Sequence, residues 1–122
     1  MNSDFEQLAV WKKGCRLVVL LYDKLKNFKD LGLYSQMTRA AVSIPSNIAE
    51  GAERKTDKDF IHFLYIAKGS AAELRTQLYI AGELKIISPE GSQILVQECK
   101  EIAKMLKGLI NALCEQKPDS PV

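Results

Sequence analysis

Apolar side chains recur along most of the chain at steps of three and four residues, the interval that lines one face of an α-helix and fits no strand. Short turn signals divide this pattern into four long segments. In the first, Leu8, Trp11, Cys15, Val18, Tyr22 and Leu25 form the main stripe, with Val10, Gly14, Leu17 and Leu21 beside it, over a helix from about Phe5 to Phe28. The second stripe is Leu33, Met37, Ala40, Ile44 and Ile48, over about Leu33 to Arg54. Pro45 interrupts it. Proline removes a backbone donor and crowds the carbonyl of Ala41, so the helix is expected to kink there or to split and restart with Asn47 as cap and Glu50 behind it. A capping box at Thr56–Asp59 opens the third helix, which runs to about Lys85 with Phe60, Leu64, Ala67, Ala71, Leu74, Leu78 and Ala81 on its inner face. Ser88, Pro89 and Glu90 place a cap, a first-turn proline and an acid at the start of the fourth, whose stripe is Leu95, Cys99, Ile102, Leu106, Leu109 and Leu113.

Short connections cannot return the chain along helices about 30 Å long, so consecutive helices must run antiparallel. The expected fold is therefore all-α: an antiparallel up-down-up-down four-helix bundle with helix 2 kinked near Pro45. A chain of 122 residues that is 47% hydrophobic can bury a core without disulfides or metal. Residues 1–117 are expected to form one domain and residues 118–122 a flexible tail.

Composition excludes several function classes. Seventeen basic against fifteen acidic residues leave a net charge of +2, too little to announce a polyanion binder without local asymmetry. The longest apolar run, Leu17 to Tyr22, falls far short of the roughly 20 residues of a membrane span. The acidic, polar start, Met1 to Glu6, lacks the basic and apolar regions of a secretory signal. Cys15, Cys99 and Cys114 are odd in number and match no zinc spacing, so they are read as small buried hydrophobes in a reducing, cytoplasmic setting. The single histidine, His62, lies off the main stripe of its helix and is expected at the surface. No Glu-x-x-His pair and no glycine-rich phosphate loop occur, and Glu50 with Glu53 reads as a solvated pair. The expectation is a protein without enzymatic activity or cofactor.

Residues 36–51, Gln36-Met37-Thr38-Arg39-Ala40-Ala41-Val42-Ser43-Ile44-Pro45-Ser46-Asn47-Ile48-Ala49-Glu50-Gly51, crowd polar groups among small ones. Together with Leu8, Trp11 and Lys12 before them, and Phe60, Phe63, Leu64, Ala67, Gly69, Ser70, Glu73 and Leu74 after them, they closely resemble the bacterial four-helix bundle family named for proteins encoded in 23S ribosomal RNA intervening sequences. The likeness covers about residues 5–113. It implies the same fold and an assembly of five identical chains around a central opening. A related accessory protein of diversity-generating retroelements binds nucleic acid and a reverse transcriptase. The family name records where a gene lies and implies no activity.

From the residues themselves, Arg39, Ser43, Asn47 and Glu50 share one helical face, flanked by Gln36, and are expected either to form a polar network that repairs the backbone around Pro45 or to hold a ligand or partner. Lys12, Lys13 and Arg16, with Arg54, Lys55 and Lys58, are the cations that a ring could gather on one rim to meet RNA or DNA. Their alternative is a solvated helix face. The competing function is a protein-interaction adaptor with no nucleic-acid role, and an enzyme remains only if Arg39, Asn47 and Glu50 enclose a ligand.

Overall fold

A computed structural model describes residues 4–115, and those residues fold as a four-helix bundle without strands. The four helices are α1 (Ala9–Lys24), α2 (Leu31–Ala52), α3 (Asp57–Glu83) and α4 (Pro89–Glu115), with a 3-10 turn at Phe5–Gln7 before them. Residues 118–122, expected as a tail, lie outside the described residues. No helix among the described residues is long and apolar enough to cross a membrane.

Local chemistry sets the element ends. Asp30 Oδ1 accepts from the Leu33 amide at 3.0 Å, so α2 begins two residues earlier than the apolar stripe alone predicts. Thr56 Oγ1 accepts from the Asp59 amide at 3.1 Å and Ser88 Oγ from the Gly91 amide at 3.0 Å, as the cap signals of the sequence predict. At the other end of α3 the Ile86 amide donates to the Ala81 carbonyl and the Lys85 amide to the Gly82 carbonyl, a Schellman closure that puts Lys85 at φ 58°. The first helix is shorter than its stripe. Leu8 is extended, and the chain before it curls back so that the Phe5 ring packs edge-on to Trp11 at 5.3 Å.

Each helix packs on its neighbours in the chain and α4 returns to α1, while the diagonal pairs do not meet among the described residues. Gly14 of α1 lies against Ile44 and Pro45 of α2, Ser43 of α2 meets Ser70 of α3, and Ser92 of α4 donates to the Leu78 carbonyl of α3 at 2.9 Å. The whole stripe expected for α3, Phe60 through Ala81, is buried, as are Met37, Ala40, Ile44 and Ile48 of α2. In α4 the inner position is taken by Ile110, and Leu109 is half-buried beside it.

Two expectations are corrected. α2 runs unbroken through Pro45, so the helix does not split and restart at Asn47. Along α1 the order of the stripes is reversed: Val10, Gly14, Leu17 and Leu21 face the core, whereas Leu8, Trp11, Cys15 and Val18 are half-buried and Tyr22 is exposed, and of the expected main stripe Leu25 is buried. Two apolar stripes lie side by side on α1, and the one that carries Gly14 is the one set against Ile44 and Pro45 of α2, so it takes the core position.

Candidate functional site

The polar stretch of α2 divides into local pairings rather than one network. Asn47 Nδ2 donates to the Ser43 carbonyl at 2.7 Å. The Ser43 hydroxyl donates to the Ala40 carbonyl at 2.9 Å and lies 2.6 Å from the Ser70 hydroxyl of α3. Neither side chain's bond is to the Ala41 carbonyl that Pro45 leaves without its amide. Glu50 pairs one turn on with Arg54 at 2.9 Å, and the Arg54 guanidinium sits 4.8 Å from the Phe63 ring centre. Gln36 and Arg39 are exposed, and Arg39 has no ion-pair partner among the described residues.

The apolar half of the same stretch explains why small residues are interleaved. A methyl group on Gly51 would stand 2.7 Å from Phe63 Cβ and 3.2 Å from the Phe60 carbonyl. Gly51 therefore lets the start of α3 press against the end of α2. Ala40, Ala41, Ile44, Pro45 and Ile48 are buried between α1 and α3. Arg39 and Glu50 line separate open depressions, Arg39 with Tyr22, Thr38 and Val42, and Glu50 with Phe5 and Arg54.

The expected rim cations fare unequally. Lys13 reaches across to α4, where Glu101 at 2.9 Å and Glu98 at 3.0 Å hold its ammonium. Those hydrogen bonds raise the Lys13 pKa above its ordinary value, and Lys13 in turn lowers that of Glu101. Arg54 is engaged as described above. Lys12, Arg16, Lys55 and Lys58 remain exposed and form no ion pair among the described residues. His62 is exposed, as expected for a surface histidine. Of the thiols only Cys99 is fully buried, with its pKa pushed up to about 12 by desolvation, whereas Cys15 is half-buried and Cys114 is exposed. The uniform buried reading fails for Cys114 because one residue past the buried Leu113 the helix turns it out of the core.

Two features escaped the sequence. One is a seam between α3 and α4, hollow to about 390 Å³ over Gly69, Ala72 and Ala103, with Tyr65, Lys68 and Arg75 along its edge. A second hollow, of about 670 Å³, opens between the same helices at Tyr79, Val96 and Lys100. Lysines at positions 100, 104 and 107 gave a signal for a basic face of α4, but only tertiary packing sets Lys100 at the second hollow. The other is an apolar surface on α1 and α2, where Val19 is 70% and Leu31 75% exposed next to Tyr22 and Val42. Among the described residues no group of three or more His, Cys, Asp or Glu could hold a metal ion.

The sequence profile of the 23S rRNA-intervening sequence proteins matches residues 6–108. The chain is also similar to a solved structure of a protein of unknown function from the S23 ribosomal protein family of Bacteroides thetaiotaomicron VPI-5482. The two are 28% identical with a TM-score of 0.75, over 84% of this chain and 98% of that one. No curated protein matches the chain.

Proposed function

The chain belongs to the 23S rRNA-intervening sequence protein family, and from that premise we propose a non-enzymatic scaffold or binding protein that assembles from identical chains, five to a ring, and touches RNA or DNA weakly through surface cations. The observation that carries self-association is the apolar surface of α1 and α2. Large exposed apolar side chains that adjoin one another mark interaction sites more often than solitary ones do, and Val19, Tyr22, Leu31 and Val42 extend a hollow lined by Leu25, Phe28 and Tyr34. Within each protomer the helices run up-down-up-down with α2 bent at Pro45. That reading is supported by the pairings Gly14 with Pro45, Ser43 with Ser70 and Lys13 with Glu98, and by the amide that Pro45 lacks.

A ring repeats each surface cation, so a small bias per chain adds up to a strong field. Lys12, Arg16, Lys55 and Lys58 supply that bias. A second reading, a protein-interaction adaptor with no nucleic-acid role, is favoured by the ties that Lys13 and Arg54 make to carboxylates. Thiols left unpaired at Cys15, Cys99 and Cys114 support a reducing, cytoplasmic setting.

Light scattering and fluorescence polarisation test both parts. The expected particle is several times the 13.6 kDa of one chain, and a strictly monomeric one at micromolar concentration overturns the assembly. A labelled RNA hairpin is expected to bind at low salt and weaken steeply toward physiological salt. An intact oligomer that binds nothing even at low salt transfers the conclusion to the adaptor.

A further inference from the structure

Cations on a protein surface are ordinary when they are scattered among acids, and the α3–α4 seam differs in both respects. Lys68 and Arg75 stand on its α3 side, half-buried, beside a floor of Gly69, Ala72 and Ala103. On α4, Lys100 borders the second hollow, and Lys100, Lys104 and Lys107 are exposed and follow one another at steps of four and three, so they share one outer face of that helix. None of these cations forms an ion pair among the described residues. Glu98 and Glu101 hold Lys13 on the α1 flank of α4, and no acid of either helix lines the hollow beside Lys68 and Arg75. Glu83 alone borders the second hollow.

The seam also carries aromatic rings. Tyr65 and Tyr79 are 56% and 49% exposed, which leaves ring surface in water that most folds would cover. They lie fourteen residues apart on α3, about 21 Å at the helical rise. A floor of glycine and alanine keeps the space between the flanking cations open.

Rings with accessible faces, aligned cations and a small-residue floor are the parts that a single nucleic-acid strand requires: phosphates meet the cations and unpaired bases stack on the rings. A duplex offers the charge but buries its base faces. We propose that the α3–α4 seam is a groove for single-stranded nucleic acid, with Lys68, Arg75, Lys100, Lys104 and Lys107 on the backbone and Tyr65 and Tyr79 under bases. This inference rests on the nucleic-acid reading above and moves its centre from the rim to the seam.

Fluorescence polarisation of a labelled fifteen-residue oligouridylate with the full chain, at low and physiological salt, tests it. Lys68→Glu with Arg75→Glu, and separately Lys100→Glu with Lys107→Glu, are expected to lower affinity at least tenfold. Each pair also flattens the salt slope by about 1.4, from about 0.7 for each phosphate contact on a single strand. Tyr65→Ala with Tyr79→Ala lowers affinity without changing that slope, and Tyr65→Phe with Tyr79→Phe restores it. Lys12→Glu with Arg16→Glu is expected to lower affinity less than either seam pair does. Helical circular dichroism confirms the fold of each variant, and the fully exposed α4 pair keeps the test sound should the Arg75 change disturb packing. Loss in the rim pair with the seam pairs intact overturns the groove and leaves the rim reading standing. A poly-glutamate chain or an RNA duplex that competes as well as the oligouridylate overturns single-strand recognition. No binding at low salt overturns both nucleic-acid readings, while light scattering reports the assembly separately.

Discussion

Cys99 and Cys114 are fifteen residues apart on one helix and chemically far apart. Only a thiolate reacts, and desolvation holds the Cys99 thiol at about 12 while Cys114 faces water. An aromatic disulfide reagent at pH 8 is therefore expected to modify Cys114 within the mixing time, Cys15 more slowly, and Cys99 only as the protein unfolds. Stopped-flow absorbance on the single-cysteine variants checks that order. Lys13 shows how much a sequence can hide at this scale. Beside Lys12 and Arg16 it reads as one of three equivalent cations, yet a step of one residue around α1 turns it toward Glu98 and Glu101, which are distant in sequence. Its effect is pH-dependent. Because Lys13 lowers the Glu101 pKa, the stabilisation is present above the ordinary carboxylate value of 4.5 and is lost as pH falls through the folded one. Replacing Lys13 by Met should return the Glu101 titration midpoint toward 4.5, as carboxyl carbon shifts in NMR would report.

The helices themselves were legible almost throughout, because caps act locally: Thr56 and Ser88 do what their positions predict, whereas Asp4 and Asp30 went unread. Glycines were not legible, since isolated ones look alike until the space around them is known. At Gly51 an added methyl meets the backbone and side chains of Phe60 and Phe63, so Gly51→Ala should cost about 1–3 kcal/mol through overpacking. At Gly108 the same methyl meets nothing within 4 Å on an exposed stretch of α4, and Gly108→Ala should stabilise by about 0.5–1 kcal/mol through helix propensity. Thermal denaturation of the two variants side by side distinguishes a contact glycine from a tolerated one. The polar stretch around Pro45 was half legible. Its residue types announced a special site, but their division into a packing set at Pro45, Ile48 and Gly51 and an exposed pair at Gln36 and Arg39 depends on which neighbours α1 and α3 present.

At the level of the molecule, α1 is where periodicity misled. Both of its stripes are apolar, and nothing in the sequence ranks them until the fold sets the Gly14 side against Ile44 and Pro45. Leu17 and Leu21 are fully buried, so the apolar side chains left open to the proposed assembly include Val19 and Leu31. Leu17→Glu should abolish cooperative unfolding and most of the helical signal. Val19→Glu with Leu31→Glu should keep both and reduce the particle mass measured by light scattering. The attachment of α1 has a consequence of its own. Its start has no side-chain cap, its buried residues are only Val10, Gly14, Leu17 and Leu21, and an ionic clasp at Lys13 fastens it to α4. Such an element belongs to the low end of the ladder of partial unfolding, and it opens ahead of the α2–α3 pair. Because its outer surface is also the proposed contact between subunits, ring closure and the seating of α1 draw on one free energy. In such a ring, dilution is expected to loosen a helix as well as an interface, so that hydrogen exchange at the amides of α1 reports the concentration of the protein.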